Sequence, residues 1–267
     1  MLWTASAAWI ALFAPTLWWL VISWVSSSYY SHGLLGLALA GIVGYWRHRN
    51  NDVDPWDIHI GFVIAAGALF ALAGFFTGLN AFKAWGSYIL LWCIIARFID
   101  RDLAAVFTPA LVIISILTPL PFVAYILSWL QLFTAQWAVY LIKQAFCLSV
   151  AMEGPLLSFA NGTQLLVGAS CSGFKSVIVL LALSVSYTQL APRSYLVFFG
   201  LPLASVLVAL LSNAARVCLM LRAAAFEGQE AALWFWDITA GIVFFTSGLV
   251  VLGVIGWILT KLSRQPA

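Results

Sequence analysis

Apolar runs of about 20 residues recur along the whole chain, and each is long enough to span a bilayer as a helix with its backbone satisfied internally. The charge needed to clothe a soluble fold is missing. Only 8% of the 267 residues are charged and 64% are hydrophobic, against about 25% charged in an ordinary soluble domain. The mean hydropathy is +1.04. These features predict an all-α polytopic membrane protein. No polar stretch of about 50 residues is present to build a separate soluble domain, so 1–267 reads as one integral membrane domain. The net charge of +3 suggests neither a nucleic-acid partner nor a polybasic surface. Residues 1–25 lack a basic n-region and a clear small-residue exit, so they read as a retained helix.

The runs predict about eight crossings, at about 3–25, 33–46, 58–79, 84–98, 103–118, 173–191, 195–221 and 236–260. The segment at about 120–146 is also apolar, but it opens on Pro119-Leu120-Pro121 and carries Gln131, Gln136, Lys143 and Gln144. Basic residues flanking membrane helices favour the cytoplasmic side. With the N-terminus inside and 120–146 not crossing, Arg47, Arg49, Arg97, Arg101, Arg193, Lys261 and Arg264 all fall inside. If 120–146 crossed, Arg193, Lys261 and Arg264 would move out. The segment is therefore expected in the outer interface or as a re-entrant element. The stretch 147–170 then lies outside, with turn signals at Glu153-Gly154-Pro155 and Asn161-Gly162 and an extended run from Gln164 to Ala169.

This layout brings polar residues to one face. Cys171 falls at the outer start of the sixth crossing, Asn213 and Arg216 toward the outer end of the seventh, and Asp237 at the outer start of the eighth. Ionisable groups at membrane depth cost roughly 2.5–3.5 kcal/mol each and are usually paired and functional. Asn213 and Arg216 are three apart, Cys171 and Lys175 four apart, so each pair is expected on one helix face. A thiol becomes nucleophilic as the thiolate, which a helix N-terminus or a fixed positive charge favours. Arginine cannot act as a base, but Arg216 can stabilise a thiolate or an oxyanion. Small neighbours, Ser170, Ser172 and Gly173, are expected to let a substrate backbone approach and to leave N–H groups free to donate.

Cys171-Ser172-Gly173-x-Lys175-Ser176, followed about 40 residues later by Asn213-x-x-Arg216, resembles the exosortase/archaeosortase family. So do Tyr30-Ser31-His32-Gly33, Pro119-Leu120-Pro121, and Asp237 with Gly241 and Phe245, in this order. The resemblance covers most of the chain and is densest over 119–245, the expected catalytic part. It implies a membrane cysteine transpeptidase or protease without cofactor or metal. Its partners would be membrane lipids and exported proteins bearing C-terminal sorting signals: a short motif such as the Pro-Glu-Pro type, a transmembrane helix and a basic tail. It implies a cell-membrane location with the site toward the outer face, Cys171 as nucleophile and Arg216 as electrostatic partner. Two positions depart from the family. Lys175 stands where Arg is usual. Asp237 stands at the third catalytic position, usually His, and no histidine follows His59. An aspartate titrates near 3.9; burial would raise it toward useful general-acid behaviour, while a helix start or Arg216 would lower it. His32, on the first outer loop, is the alternative proton carrier.

Plainer readings stand beside these. Cys93, Cys147 and Cys218 read as packing thiols, and a Cys147–Cys171 disulfide would make Cys171 a structural staple. Arg216 could snorkel to the interface, with Asp237 a partner of Arg216 or Arg222. His32 could be structural or substrate-facing. Asp52, Asp54 and Asp57 lack defined metal-ligand spacing. Two other functions compete with catalysis: an inactive relative that binds sorting signals, suggested by the missing histidine, and a transporter using Arg216 and Asp237 as an ion pathway. No inverted repeat supports the transporter.

Overall fold

A computed structural model describes residues 1–50, 60–191 and 194–263, with the side chains of 170, 229 and 231–240 left aside. Asp52, Asp54, Asp57, Arg193 and Arg264 lie outside the described residues. The described chain forms nine α-helices: α1 (Leu2–Ser26), α2 (Gly33–Arg49), α3 (Ile60–Thr77), α4 (Asn80–Phe98), α5 (Arg101–Ile116), α6 (Val123–Phe146), α7 (Phe174–Leu190), α8 (Tyr195–Glu227) and α9 (Gln229–Ser263). Three short strands separate α6 from α7: β1 (Val150–Glu153), β2 (Leu156–Phe159) and β3 (Gln164–Leu166). The protein is an all-α polytopic membrane protein with a small sheet inserted. Six helices, α1, α3, α4, α6, α8 and the Gly241–Ser263 part of α9, are long and apolar enough to cross a membrane. The six include α6, which the expected eight crossings left out, while α2, α5 and α7 are shorter, at 16–17 residues.

The chain divides into two compact units, Met1–Pro121 and Phe122–Ala267. In the first, α4 packs against α1, α3 and α5, and α2 lies against α5. The turn between α1 and α2 is fastened to the end of α5. The Trp24 indole N–H donates to the Leu117 carbonyl at 2.9 Å. The Leu120 N–H, inside Pro119-Leu120-Pro121, donates to the Tyr30 hydroxyl at 2.9 Å. Gly33 leaves room for this fastening, because any side chain there would overlap the Trp24 indole.

In the second unit α8 packs against α6, α7 and α9. The segment expected to lie in the interface or re-enter is one unbroken helix, α6, so the re-entrant form is corrected: no residue between Val123 and Phe146 breaks the backbone ladder. One side of α6 carries a row of rings, Trp129, Phe133, Trp137 and Tyr140, with successive centroids 5.5–6.1 Å apart. Tryptophan and tyrosine on an exposed face are the usual residues of the membrane–water boundary. Thr134 of α6 meets Asn213 of α8 at 3.1 Å, and Phe146 meets the Arg222 guanidinium at 5.4 Å. Both contacts advance together along the two helices, so α6 and the second half of α8 run in the same direction.

The exposed apolar stripe of α8 runs through Phe199, Leu203, Leu207 and Leu211 and then stops. From Asn213 to Ala224 the helix buries nearly every residue against α6, β3 and the turn before α7. The antiparallel sheet, ordered β1-β2-β3, turns at Gly154 and Gly162, both at positive φ, where the turn signals and the extended run had been read from sequence.

Candidate active site

A 3₁₀ turn, Ala169–Cys171, leads from β3 into α7. The Cys171 N–H donates to the Gly168 carbonyl at 2.9 Å and the Ser172 N–H to the Ala169 carbonyl at 3.3 Å. The Ser172 hydroxyl donates to the Ala169 carbonyl at 2.8 Å and accepts from the Phe174 N–H at 3.3 Å. Ser172 is thus committed to shaping the turn and is only 1% exposed. The expectation that the small residues leave N–H groups free is corrected at Ser172, whose N–H the tight turn uses, as it does that of Cys171.

Gly173 caps α7 at φ +79, a left-handed conformation that costs a side-chain-bearing residue roughly 1–2 kcal/mol. A Cβ there would also lie 2.9 Å from Cγ and Nδ2 of Asn213. The space above Gly173 is therefore filled by the Asn213 amide, and the expected substrate approach over this glycine is corrected. The same left-handed residue breaks the helix between Cys171 and Lys175. They do not share a continuous helix face as the spacing suggested: Cys171 is buried in the turn before α7, whereas Lys175 is exposed in its first turn.

Asn213 is the hub. Its Nδ2 donates to the Cys171 carbonyl at 2.7 Å and to the Thr134 hydroxyl at 3.1 Å. Its Oδ1 accepts from Nη2 of Arg216 at 3.1 Å. The Thr134 hydroxyl in turn reaches the Ser172 carbonyl at 3.4 Å. The polarity of this chain is fixed. A hydroxyl that donates to Ser172 presents a lone pair to Asn213, so the NH₂ end of the amide must face Thr134 and Cys171. The oxygen end is then left to face the guanidinium. Buried polar groups persist only when so satisfied, and Thr134, Asn213 and Arg216 are 0%, 5% and 9% exposed. Arg216 is thereby held inside the protein rather than extended to the interface.

Thr134 was missed from sequence. Its signal was a hydroxyl on α6 beside the small residues Ala135 and Ala138, the positions that let two helices approach. Gly241 of α9 also borders the site: a Cβ there would stand 3.6 Å from Nη1 of Arg216. Asp237 lies on α9, four residues before Gly241, but its side chain is outside the described residues. The helix begins at Gln229, after the positive-φ turn at Gly228. Asp237 is therefore eight residues inside α9, not at a helix start, and is clear of the terminal dipole, which acts within the first turn.

His32 is the half-buried N-cap residue of α2 in the first unit. The structure assigns its neighbours Tyr30 and Gly33 to the fastening of that unit. All four cysteines are free thiols. Cys93 and Cys218 are buried within helices, and Cys147 is exposed at the end of α6. Arg222 stacks over Phe146 and Phe226, at 5.4 and 5.6 Å.

No curated protein and no solved structure matches the chain. A sequence model described as transmembrane exosortase matches residues 24–254 of the 267, a span that includes Cys171, Asn213, Arg216 and Asp237 and nearly all of both units. The chain belongs to the transmembrane exosortase family.

Proposed function

We propose that this protein is a cysteine transpeptidase or protease that cuts C-terminal sorting signals at the outer membrane face, with Cys171 as nucleophile and Arg216 as the stabilising cation. Family membership supports a membrane transpeptidase or protease role in general. The observation that carries the finer reading is the Asn213 amide, which ties the Cys171 turn and the Arg216 guanidinium into one hydrogen-bonded unit. The Cys171 and Ser172 N–H groups are already used inside the turn, which supports a role for Arg216 in stabilising the charge that develops on the carbonyl oxygen.

In this mechanism the Cys171 thiolate adds to the carbonyl carbon of the scissile peptide bond, and the electron pair moves to oxygen. The tetrahedral intermediate collapses, the C–N bond breaks, and the departing amine takes a proton. The product is a thioester on Cys171, which an acceptor nucleophile or water then resolves. The proton carrier is Asp237 or His32. Asp237 is favoured by its place one helical turn before Gly241, which borders Arg216.

Sidedness follows from length. Gly241, at the level of Arg216, is separated from Lys261 by about 30 Å of α9 at 1.5 Å per residue, one hydrocarbon thickness. A basic residue at that end favours the cytoplasm, which supports an outer-boundary position for the cysteine. The row of rings on α6 suits the same boundary.

The test incubates a tagged exported protein bearing a C-terminal sorting signal with membranes containing the full-length protein. Loss of the tail's mass and a trapped thioester on Cys171 are expected, and Cys171→Ala should abolish both while still accumulating. Retained processing by Cys171→Ala, with loss in a variant lacking Cys93, Cys147 and Cys218, overturns the assignment. For the proton, Asp237→Asn should slow single-turnover cleavage by about 10²–10⁴-fold, as for other general acids. A silent Asp237→Asn beside a dead His32→Ala moves that role to the first loop.

A further inference from the structure

The outer edge of β3 is a row of backbone donors and acceptors aimed away from the sheet. In the β2–β3 ladder, Leu157 faces Leu165, flanked by the pairs Leu156–Leu166 and Ser158–Gln164. The Val167 N–H donates to the Pro155 carbonyl and the Phe159 N–H to the Thr163 carbonyl, both at 2.9 Å. Facing residues in an antiparallel ladder alternate between hydrogen-bonded and non-hydrogen-bonded pairs. The bonded pairs are therefore 155 with 167, 157 with 165 and 159 with 163. Gln164 and Leu166 belong to the other set, so their N–H and C=O groups point away from β2. The sheet order makes β3 an edge, and among the described residues no strand pairs with its outer side. Gln164 is exposed and Leu166 is 61% exposed.

The inward side of the strand is held firmly. Leu165 and Val167 are 3% and 1% exposed, in one apolar cluster with Cys171, Val217 and Leu221. Beyond Val167 the chain turns at Gly168, and Cys171 follows Leu166 by five residues. A fixed, open strand edge is a template for another extended chain, and adding a strand to such an edge is a recurring way of binding peptides.

We propose that the open edge of β3 binds the sorting motif of the substrate as an added strand, through the N–H and C=O groups of Gln164 and Leu166. This inference rests on the peptide-cutting reading given above. The scissile carbonyl must reach Cys171, beyond the C-terminal end of β3, so a motif that precedes the cut runs parallel to β3. Recognition of this kind reads every second backbone amide of the substrate. Side chains are left to face alternately toward and away from the protein.

The experiment measures binding to full-length Cys171→Ala protein in lipid nanodiscs, which holds substrate without cutting it. The probe is a synthetic peptide spanning a Pro-Glu-Pro motif and the start of its apolar tail, N-methylated in turn at each non-proline residue. Weakening of about tenfold, the scale of one to two lost hydrogen bonds, is expected where the amide faces β3. Positions between should be spared. On the protein side, Leu166→Pro removes one outward N–H at an edge position where proline is tolerated. It should weaken binding by a similar factor with an unchanged melting temperature. Leu166→Ala, which keeps the N–H, should bind several-fold more tightly than Leu166→Pro. Absence of binding, N-methyl effects without a period of two, or equal affinity of the two Leu166 variants overturns the inference. Cutting is assayed separately with wild-type protein. A period of two without cutting overthrows the proposed function and leaves the strand-pairing inference standing.

Discussion

Tyr30-Ser31-His32-Gly33 and Cys171-Ser172-Gly173 are both short polar turns leading into a helix, and both use a glycine to admit a larger side chain onto the backbone. At Gly33 the guest is the Trp24 indole, which donates to Leu117 while Tyr30 accepts from Leu120. These two bonds join neutral groups, an indole and a phenol, to main-chain atoms at and just beyond the α5 end. At Gly173 the guest is the Asn213 amide, which donates to Cys171 and Thr134 and accepts from Arg216. The packing device is the same. The second differs in that its hydrogen bonds include a guanidinium and hold the carbonyl of a cysteine. Both turns carry the family resemblance, and what distinguishes the second is the guanidinium in its hydrogen-bond chain.

The contrast breaks first at its charged end. Arg216→Lys keeps a positive charge but loses the planar fork that meets Asn213. Single-turnover cleavage should fall by about 10²–10³-fold, the scale of losing an oxyanion donor. A near-normal rate would make the second turn as structural as the first. Next comes the polarity of the chain. Thr134→Val keeps shape but removes the hydroxyl that orients Asn213, and cleavage should drop about tenfold, or about 1.4 kcal/mol, for a lost buried hydrogen bond. Thr134→Ser should recover most of that loss, and Thr134→Val should leave the pH profile's midpoints in place. If serine fails to rescue, packing rather than orientation explains Thr134.

Gly33 and Tyr30 of the first turn should respond only in stability. Gly33→Ala forces the Trp24 indole aside and should lower unfolding stability in detergent by about 1–3 kcal/mol, as overpacking does. Cleavage per folded molecule should be unchanged. Tyr30→Phe leaves the Leu120 N–H without its acceptor and should cost about 1 kcal/mol in the same measurement, the smallest effect of the set. A cleavage defect in either variant at full folding would extend the site into the first unit and erase the distinction between the turns.

Much of this was legible from the residues because apolar runs and turn signals act locally. The helices fall where the runs lie, and Gly154 and Gly162 mark the turns of the sheet. The pairing of Asn213 with Arg216 follows from helical spacing. What spacing hid was the left-handed backbone at Gly173, which separates Cys171 from Lys175 and fills the expected substrate space with an amide. A four-residue interval predicts a shared face only while the helix is continuous. The lengths of α8 and α9 were also underread: the crossings were expected at 195–221 and 236–260, whereas the helices run Tyr195–Glu227 and Gln229–Ser263. From Asn213 to Ala224, α8 is buried against α6, β3 and the Cys171 turn and continues as helix to Glu227. Thr134 was overlooked because, among the several hydroxyls of α6, only its small neighbours Ala135 and Ala138 set it apart, and its partner on α8 is not visible in the sequence.

The hydrogen-bond chain from Ser172 through Thr134 and Asn213 to Arg216 has one more consequence. A threonine hydroxyl and an asparagine amide do not titrate, and an arginine stays charged at any pH that a cell envelope meets. The threonine and asparagine links of this chain therefore have no protonation state of their own to change. Acidification or alkalinisation leaves the direction of every bond in it intact. Any inflection in a cleavage–pH curve then reports the thiol, the proton carrier or the substrate, and a variant that moves an inflection identifies a group that gains or loses a proton during the reaction.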